Sequence, residues 1–243
     1  MGILVSLKEG VKSVFRALGT DVIRLKNSPS VTLLGLRNQP IKSIIDVGAN
    51  RGQFAKRMHN VFPQAKIYCF EPLVEPYNAL KSWASNESEL IRAFNIAIGD
   101  ANGRVEIHHH INHSPSSSML RTTTLNSERH PFMGAQEREF VTINRLDDAL
   151  AEAGVKLDDQ ILVKLDVQGF EDRVLRGSQK TLGKASACII EVNVDALYEG
   201  QASFSTLVSF LSDFGFRYGG NLSQYYAEDG HVMWIDALFR KEG

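Results

Sequence analysis

A strand that runs directly into a glycine turn and then a helix, at residues 43–54, constrains the fold of this chain more than any other feature. Apolar residues such as Ile44 and Val47 favour a strand that is covered on both faces, as in a parallel sheet. Gly48 and Gly52 follow, where the backbone must turn and a ligand must come close. The segment therefore predicts the ligand-binding strand–turn–helix unit of an α/β protein.

A second strand pattern ends at Glu71, 23 positions beyond Gly48. This is close to the spacing of about 20 residues at which an acidic residue reaches a ribose hydroxyl in nucleotide-binding α/β folds. The dinucleotide fingerprint is incomplete, because Asn50 stands at its second glycine, and no Gly-Lys-Ser/Thr phosphate loop is present. Asp46 also suits a cationic ligand better than a phosphate. S-adenosylmethionine, with a sulfonium, an ammonium and a ribose, fits this combination.

Strand and helix patterns alternate from residue 40 onward, which favours right-handed crossovers and a parallel sheet. The strands are predicted at residues 42–47, 66–70, 91–97, 104–110, 138–143, 161–166, 187–192, 216–220 and 231–239. The helices are predicted at residues 52–60, 75–84, 146–152, 171–182 and 203–214. No helix separates the last two strands, so we expect the final strand to be antiparallel.

Residues 3–26 place apolar side chains at helical spacing with lysines and arginines between them. They predict one or two helices packed on the domain or on a second subunit. A basic amphipathic helix on a membrane surface is the alternative. We expect a helical extension over residues 1–39 and a single enzyme domain over residues 40–243.

Six motifs occur in the order found in one enzyme family. They are Asp-Val-Gly-Ala-Asn-x-Gly at 46–52, Phe-Glu-Pro at 70–72, Asn-Ile-Ala-Ile-Gly-Asp at 95–100, Leu-Asp-Asp at 146–148, Val-Lys-Leu-Asp-Val-Gln-Gly-Phe-Glu at 163–171 and Asp-Ala-Leu-Phe at 236–239. Over about residues 41–240 the chain resembles the FkbM family of S-adenosylmethionine-dependent methyltransferases. The resemblance implies a doubly wound, seven-stranded, mostly parallel Rossmann-like sheet preceded by the helical extension. The chain differs from the family pattern at Gln168, where the family usually has glutamate. If that glutamate has a charged role in the family, the role is absent here or belongs to another residue.

The residues expected to bind the cofactor lie at the carboxyl ends of strands, where open α/β sheets hold ligands. Glu71 is expected to accept hydrogen bonds from both ribose hydroxyls, and residues 95–98 to border the adenine. The free N–H groups at the start of the first helix of the domain are expected to meet the methionine carboxylate. The residues assigned to S-adenosylmethionine are Asp46, Gly48, Ala49, Asn50, Gly52, Phe54, Glu71, Pro72, Asn95, Ala97 and Ile98.

Methyl transfer requires an acceptor aligned with the S–CH₃ bond and, for a hydroxyl acceptor, removal of a proton. The candidate catalytic residues are Asp166, His110 and His130, the histidines because imidazole titrates nearest neutral pH. Asp166 has three further interpretations: a contact to the cofactor amine, a role at the start of the helix from 171, or a divalent-cation site shared with Glu191 and Asn193.

We assign no metal site. The consecutive residues His108, His109 and His110 lie in a predicted strand, where neighbouring side chains point to opposite faces and do not converge on one ion. The segment 112–137 interrupts the strand–helix rhythm and is long for a plain connection. We therefore expect it to form a lid that sets acceptor specificity.

The formal net charge of −1 gives no electrostatic footprint for nucleic acid. No apolar run approaches the roughly 20 residues of a membrane span, and two cysteines in strand-like contexts favour a reduced, cytoplasmic compartment. The resemblance implies O-methylation of a sugar, polyketide or other secondary metabolite, with a homodimer as a possible assembly. Two alternatives stay open: a non-catalytic S-adenosylmethionine-binding module, suggested by Gln168, and an NAD-dependent oxidoreductase, disfavoured by Asn50.

Overall fold

The computed structural model describes residues 2–110, 114–130 and 136–241, with side chains from residue 10 onward. Ten strands are present in these ranges: β1 (Ser43–Val47), β2 (Lys66–Phe70), β3 (Ile91–Phe94), β4 (Ala97–Gly99), β5 (Gly103–His110), β6 (Gln136–Arg145), β7 (Ile161–Leu165), β8 (Ala185–Asn193), β9 (Phe216–Tyr226) and β10 (Val232–Lys241). The helices are α1 (Gly2–Ala17), α2 (Pro29–Thr32), α3 (Gln53–Val61), α4 (Val74–Glu87), α5 (Thr124–Arg129), α6 (Leu146–Glu152), α7 (Glu171–Arg176), α8 (Gln179–Lys184) and α9 (Phe204–Asp213).

The main sheet has seven strands in the order β3-β2-β1-β7-β8-β10-β9. Strand β1 is parallel to β2 and β7, β2 is parallel to β3, and β7 is parallel to β8. Strand β10 is antiparallel to both β8 and β9. The predicted doubly wound, mostly parallel sheet with an antiparallel final strand is confirmed, and the strand order reverses between β1 and β7, where such folds hold ligands.

The core lies on both faces of this sheet, as the apolar β1 sequence predicted. Ile45 and Val47 pack into a cluster on one face, and Ile44 packs into a separate cluster on the other. Since successive strand side chains alternate between faces, a strand buried on both faces needs apolar residues at nearly every position. This double burial fixes the end of β1, and thus the turn that follows, against helices on each side.

The predicted strand at 91–97 divides into two strands in different sheets. Strand β3 ends at Phe94, and β4 joins a three-stranded sheet of order β4-β6-β5. At the break, Asn95 Nδ2 donates to the carbonyl oxygens of Glu71 and Pro72 at 3.0 and 2.8 Å. The Asn95 side chain thus replaces the main-chain ladder and ties β3 to the end of β2.

The predicted helix at 171–182 is also divided, into α7 and α8. A Cβ atom on Gly177 would lie 1.9 Å from the Gly99 carbonyl oxygen, so the chain passes directly against β4 here. Asp147 then accepts hydrogen bonds from the main-chain N–H groups of Lys180 and Thr181 at 2.8 and 3.0 Å, which caps the start of α8. The Leu-Asp-Asp motif at 146–148 therefore has a structural role in joining α6 to α8.

The predicted lid contains secondary structure in its described part, residues 114–130. It has a 3₁₀ turn at Ser114–Ser116, an isolated bridge between Ser118 and His108, and helix α5. The rest of the predicted segment, apart from residues 136 and 137 at the start of β6, lies outside the described residues. The described part of the predicted lid is therefore structured.

The expected helical extension behaves as two different parts. Leu33 and Leu36, in the 3₁₀ segment Leu33–Asn38, are buried in the core cluster that contains Ile44. By contrast, α1 has no extensive contact with any other described helix or strand. The second half of the predicted extension is therefore packed into the enzyme body, and packing of α1 on the domain or on a second subunit stays a prediction.

Candidate active site

A cavity of about 530 Å³ opens at the carboxyl ends of β1, β2, β7 and β8. Of the residues assigned to the cofactor, eight line this cavity: Gly48, Ala49, Asn50, Phe54, Glu71, Pro72, Ala97 and Ile98. Asp166 lines it as well. The other three assigned residues, Asp46, Gly52 and Asn95, are not among the described lining residues, and each has a separate structural role.

The glycines of the turn are required by close packing within the protein. Gly48 has φ +75°, and a Cβ atom there would lie 1.8 Å from the main-chain oxygen of Asp166 at the end of β7. Gly52 has φ +83°, and its Cβ would lie 2.9 Å from Leu80 Cδ1. Both positions therefore combine a left-handed backbone with contact to a neighbouring element, which only glycine allows.

The N–H groups of this turn are already used by the protein. Those of Gly48 and Ala49 both donate to the Phe70 carbonyl oxygen at 3.0 Å, and that of Asn50 donates to Glu71 Oε2 at 2.8 Å. The turn is thus fixed against the end of β2. Its contribution to a ligand comes from the shape of Gly48 and Ala49 and from the Asn50 side chain.

Glu71 is buried, yet it lines the cavity. Its oxygens accept the main-chain N–H groups of Asn50 at 2.8 Å and Leu73 at 2.9 Å, so the carboxylate is held rigidly. Burial raises the pKa of Glu71 from 4.5 to about 7, although these two hydrogen bonds work to lower it. Since a carboxylate offers about four acceptor positions, each oxygen keeps acceptor capacity for a ribose hydroxyl.

Apolar residues continue from Glu71 along one wall of the cavity. They are Leu73, Ile96, Ala97, Ile98, Ile107 and Met119. A carboxylate beside such a wall suits a nucleoside, whose ribose is polar and whose base is flat and largely apolar at its faces. The residues present therefore fit the adenosine half of S-adenosylmethionine.

Asp46 lies beneath the cavity and is fully buried. The main-chain N–H of Ala55 lies near its carboxylate but outside good hydrogen-bond geometry, and Lys164 Nζ is 3.9 Å from Oδ1. Burial raises the pKa of Asp46 to about 6, while Lys164 lowers it. Asp46 therefore acts on the site through Lys164, and the structure gives no direct contact to the cavity.

Lys164, which the sequence reasoning did not assign to the site, lines the cavity from strand β7. It is the last but one residue of that strand, and its Nζ atom lies 2.8 Å from Asp166 Oδ2 and 5.7 Å from the centre of the Phe54 ring. Burial works to lower the pKa of Lys164, but Asp166, Asp46 and Glu191 raise it above its ordinary value. A charged residue inside an otherwise apolar strand was the available sequence signal.

Asp166 belongs to a hydrogen-bonded cluster at the ends of β7 and β8. Gln168 Nε2 donates to Asp166 Oδ1 at 2.8 Å and to Glu191 Oε1 at 2.5 Å. The Gln168 carbonyl side-chain oxygen accepts from the Tyr198 hydroxyl at 2.7 Å, and the backbone of Gln168 has φ +57°. Burial, reinforced by Asp166 and Asp236, raises the pKa of the Glu191 carboxyl. The residue that departs from the family pattern thus joins two carboxyl groups through its N–H donors.

The structure does not support the alternative of a divalent-cation site at Asp166. Within the described ranges, no three His, Cys, Asp or Glu side chains are clustered as metal ligands. Asn193 is buried and is not among the described lining residues. A Gln168 N–H donor also faces both Asp166 and Glu191, and a donor does not coordinate a cation.

The wall opposite the nucleoside side is polar. It is built from α3, the end of β8, and the β9–β10 hairpin, and it contains Gln53, Arg57, Glu191, Ser223, Tyr225 and Asp236. Ser223 Oγ donates to Asp236, and the Tyr225 ring stacks on Trp234 with ring centres 4.7 Å apart. Burial raises the pKa of Asp236, and the Ser223 hydrogen bond opposes it. Of these residues the sequence named only Glu191, as a possible cation ligand; Ser223, Tyr225 and Asp236 were missed because their approach depends on how the final hairpin folds over the sheet.

The two candidate catalytic histidines are not placed in the wall of this cavity, although the main-chain N–H of His110 donates to the lining residue Ser117 at 3.1 Å. His110 is buried, with Nε2 3.3 Å from both Thr122 Oγ1 and Gln136 Nε2. His130 follows α5, and its main-chain N–H donates to the Asn126 carbonyl oxygen. Neither is among the described lining residues. The geometry therefore gives no support to a role for either histidine as the base.

One part of the predicted lid does reach the cavity. Ser114, Pro115, Ser117, Ser118 and Met119 line it, and Asn50 Nδ2 donates to Ser114 Oγ at 3.1 Å. This bond joins the described part of the lid to the turn after β1.

None of the described helices combines the length and apolar character that a bilayer crossing requires.

Comparisons with known proteins agree with this geometry. The family model described as "Methyltransferase FkbM domain" matches residues 46–218. The chain is 28% identical over 219 residues to the 2-O-methyltransferase NoeI of Sinorhizobium fredii, with 88% of each protein covered. It is 29% identical over 183 residues to the 31-O-demethyl-FK506 methyltransferase FkbM of Streptomyces tacrolimicus, covering 68% of this chain and 67% of that protein.

Among solved structures, the chain is similar to magnesium protoporphyrin IX methyltransferase from Synechocystis PCC 6803, solved with bound S-adenosylmethionine. The TM-score is 0.46 at 10% identity, and 97% of each chain is covered.

Proposed function

Because this chain belongs to the FkbM methyltransferase family and uses S-adenosylmethionine as its methyl donor, we propose that it methylates a hydroxyl group of a small molecule. Two relatives carry names that specify transfer to oxygen, at a 2-O position and a 31-O position. The observation that carries the proposal is one cavity that combines a nucleoside wall around Glu71 with a carboxyl-rich wall around Asp166 and Glu191.

On the cofactor side, we assign Glu71 to the ribose hydroxyls and the apolar wall from Leu73 to Met119 to the adenine. Asn50 and Phe54 border the methionine half, next to Lys164 and Asp166. When bound, S-adenosylmethionine supplies a methyl group on a positively charged sulfur. The carboxylates that surround Lys164 favour that charge, because opposite charges attract most strongly where water is excluded.

On the acceptor side, Asp166 and Glu191 are the candidates to receive the hydroxyl proton. The acceptor oxygen forms a bond to the methyl carbon, the carbon–sulfur bond breaks with its electron pair going to sulfur, and the hydroxyl proton goes to a carboxylate. Both oxygens of Asp166 are engaged, by Lys164 and Gln168, whereas only Oε1 of Glu191 has a hydrogen bond among the described residues. Glu191 is therefore the better placed acceptor of the proton, and Asp166 holds Lys164 and Gln168 in position.

Hydroxyl and carboxylate groups beside the stacked Tyr225 and Trp234 rings favour a hydroxylated acceptor, such as a sugar, a polyketide or another secondary metabolite. Carboxylates accept hydrogen bonds from hydroxyls, and aromatic rings cover the C–H faces of a ring-shaped ligand. A homodimer, a cytoplasmic location and the absence of nucleic-acid partners stay predictions of the sequence.

Calorimetric titration tests the cofactor half. We expect heat of binding with S-adenosylmethionine and with its demethylated product, and none with NAD. Glu71→Ala should abolish binding while the fold is retained, as judged by circular dichroism. Glu75→Ala is the matched control, because Glu75 is an exposed carboxylate on the adjoining helix α4. Unchanged affinity of Glu71→Ala would refute the ribose assignment.

Transfer of isotopically labelled methyl groups to a panel of hydroxylated compounds tests the acceptor half. With any compound that is methylated, Glu191→Gln should lower kcat by about 100-fold or more and change the affinity for S-adenosylmethionine far less. Methylation of amines or thiols in place of hydroxyls would refute the assignment of oxygen as the acceptor atom.

A further inference from the structure

Helix α1 carries an apolar face that the protein does not cover. Val11, Val14, Phe15 and Leu18 recur at helical spacing, and all four are exposed, Val14 at 62% and Leu18 at 73%. Within the described chain, no other helix or strand packs extensively on α1. Large exposed apolar surfaces of this kind mark sites of interaction with a partner or a membrane.

The same region of the chain is basic, whereas the remainder is acidic. Residues 1–27 contain five lysines and arginines and two acidic residues, a formal charge of +3. Since the whole chain has a formal charge of −1, residues 28–243 carry −4. Lys12 and Arg16 lie one helical turn apart on one side of the apolar face, with Lys12 nearer to it, and Arg16 also pairs with Asp21 at 3.4 Å.

We propose that α1 docks on an anionic membrane surface, with its apolar face in the boundary between headgroups and acyl chains and with Lys12 and Arg16 at the headgroups. An apolar face bordered by basic residues is the pattern of helices that lie in the membrane interface. Anionic lipids attract such basic residues within about one Debye length of the surface.

A second copy of the chain fits the same face less well. If two α1 helices packed through Val14 and Leu18, the Lys12 and Arg16 residues of both copies would lie along the edges of one interface. Like charges in such positions repel each other. An anionic phospholipid surface offers acyl chains to the apolar face and negative headgroups to Lys12 and Arg16.

Docking by α1 also limits how far the enzyme body can lie from the membrane. Ser30, which lies 13 positions beyond the end of α1 at Ala17, lines the active-site cavity. Between these points the chain exposes two further apolar side chains, Ile23 and Leu25. The cavity is therefore tied to the docking helix by a short segment that itself presents apolar surface.

Co-sedimentation of the full chain with vesicles tests the proposal. We expect binding to phosphatidylcholine vesicles that contain about one third phosphatidylserine, weak binding to pure phosphatidylcholine, and loss of binding at high salt. The variant Val14→Ser/Leu18→Ser should reduce binding at least tenfold, and Lys12→Glu several-fold. Val14 and Leu18 are exposed, Lys12 is half-buried, and none of the three lines the cavity, so both variants should leave the affinity for S-adenosylmethionine unchanged.

Two matched controls distinguish docking through α1 from non-specific hydrophobic or electrostatic adsorption of the protein. Phe140→Ser removes an exposed apolar side chain of the body, and Lys156→Glu reverses an exposed charge of the body. Neither should alter vesicle binding. The proposal is overturned if the full chain does not bind anionic vesicles, or if the controls weaken binding as much as the α1 variants do. It is also overturned if analytical ultracentrifugation shows a dimer that the Val14→Ser/Leu18→Ser variant dissociates.

Discussion

The side-chain amide of Gln168 donates a hydrogen bond to the Glu191 carboxylate, with Nε2 2.5 Å from Oε1. The same nitrogen donates to Asp166 at 2.8 Å, so one neutral side chain holds two carboxyl groups at the ends of adjacent parallel strands. In the family pattern this position is usually a glutamate. The amide supplies N–H donors where a glutamate would bring a third negative charge.

Gln168→Glu should therefore destabilise the protein in a pH-dependent way. Three clustered carboxylates repel one another, and protonation of one of them relieves the repulsion. We expect a loss of about 1–3 kcal/mol in the free energy of unfolding at pH 8 and a smaller loss at pH 6. Urea unfolding at both pH values measures it. Gln179→Glu, at the exposed start of α8, is the control and should be neutral or slightly stabilising. A loss of equal size at both pH values would contradict the clustered-charge explanation.

Affinity for S-adenosylmethionine should rise with pH through about 7. Burial raises the pKa of Glu71 to about 7, so below that value the side chain is protonated and must lose a proton to accept both ribose hydroxyls. Between pH 8 and pH 6 the ionised fraction falls about tenfold, and affinity should fall by about the same factor. Calorimetry across this range measures the change. Glu71→Gln should bind S-adenosylmethionine more weakly, and its affinity should depend less on pH. If that variant shows the same pH dependence as the wild type, another group is responsible for it.

Gly48→Ala should unfold the protein readily or prevent its folding. The new Cβ would meet the Asp166 carbonyl oxygen at 1.8 Å, and alanine disfavours φ +75°. We expect a loss of about 3 kcal/mol or more in the free energy of unfolding. Gly183→Ala is the contrast, since Gly183 lies in α8 and a Cβ atom there would meet nothing within 4 Å, and it should stabilise by about 0.5–1 kcal/mol. Similar thermal midpoints for the two variants would refute the close-packing role of Gly48.

Stability without cofactor should fall as pH rises from about 4.5 to 7. Burial raises the pKa of Glu171 to about 7, so the folded protein keeps a proton that the unfolded chain loses above about 4.5. The contribution of Glu171 is then fully present below pH 4.5 and is lost by pH 7, a change of about 3 kcal/mol. Glu171→Gln should flatten the unfolding free energy across this window, whereas Glu199→Gln, at an exposed position, should not.

Much of the fold and part of the site could be predicted from local patterns. The β1–turn–α3 unit, the antiparallel final strand and the position of Glu71 all follow from features within a few tens of residues. The divisions at Asn95 and Gly177 could not, because both depend on contacts with elements distant in the chain, the end of β2 and the Gly99 carbonyl. The polar wall of the cavity was missed for the same reason: Ser223, Tyr225 and Asp236 approach the cavity only when the last hairpin pairs with β8.

The sequence by itself determined the family, the sheet and the nucleoside end of the site, because strand periodicity, the glycine turn and a strand-end carboxylate are properties of short segments. Only the tertiary structure decided what those residues contact. Gly48 is a glycine because the Asp166 carbonyl passes against it, and Asp46 faces Lys164 beneath the cavity. The histidines chosen for their ordinary pKa are not among the lining residues described, whereas Glu191 is. Which side chains line the cavity depends on proximity and burial, and both arise only when distant strands pack together.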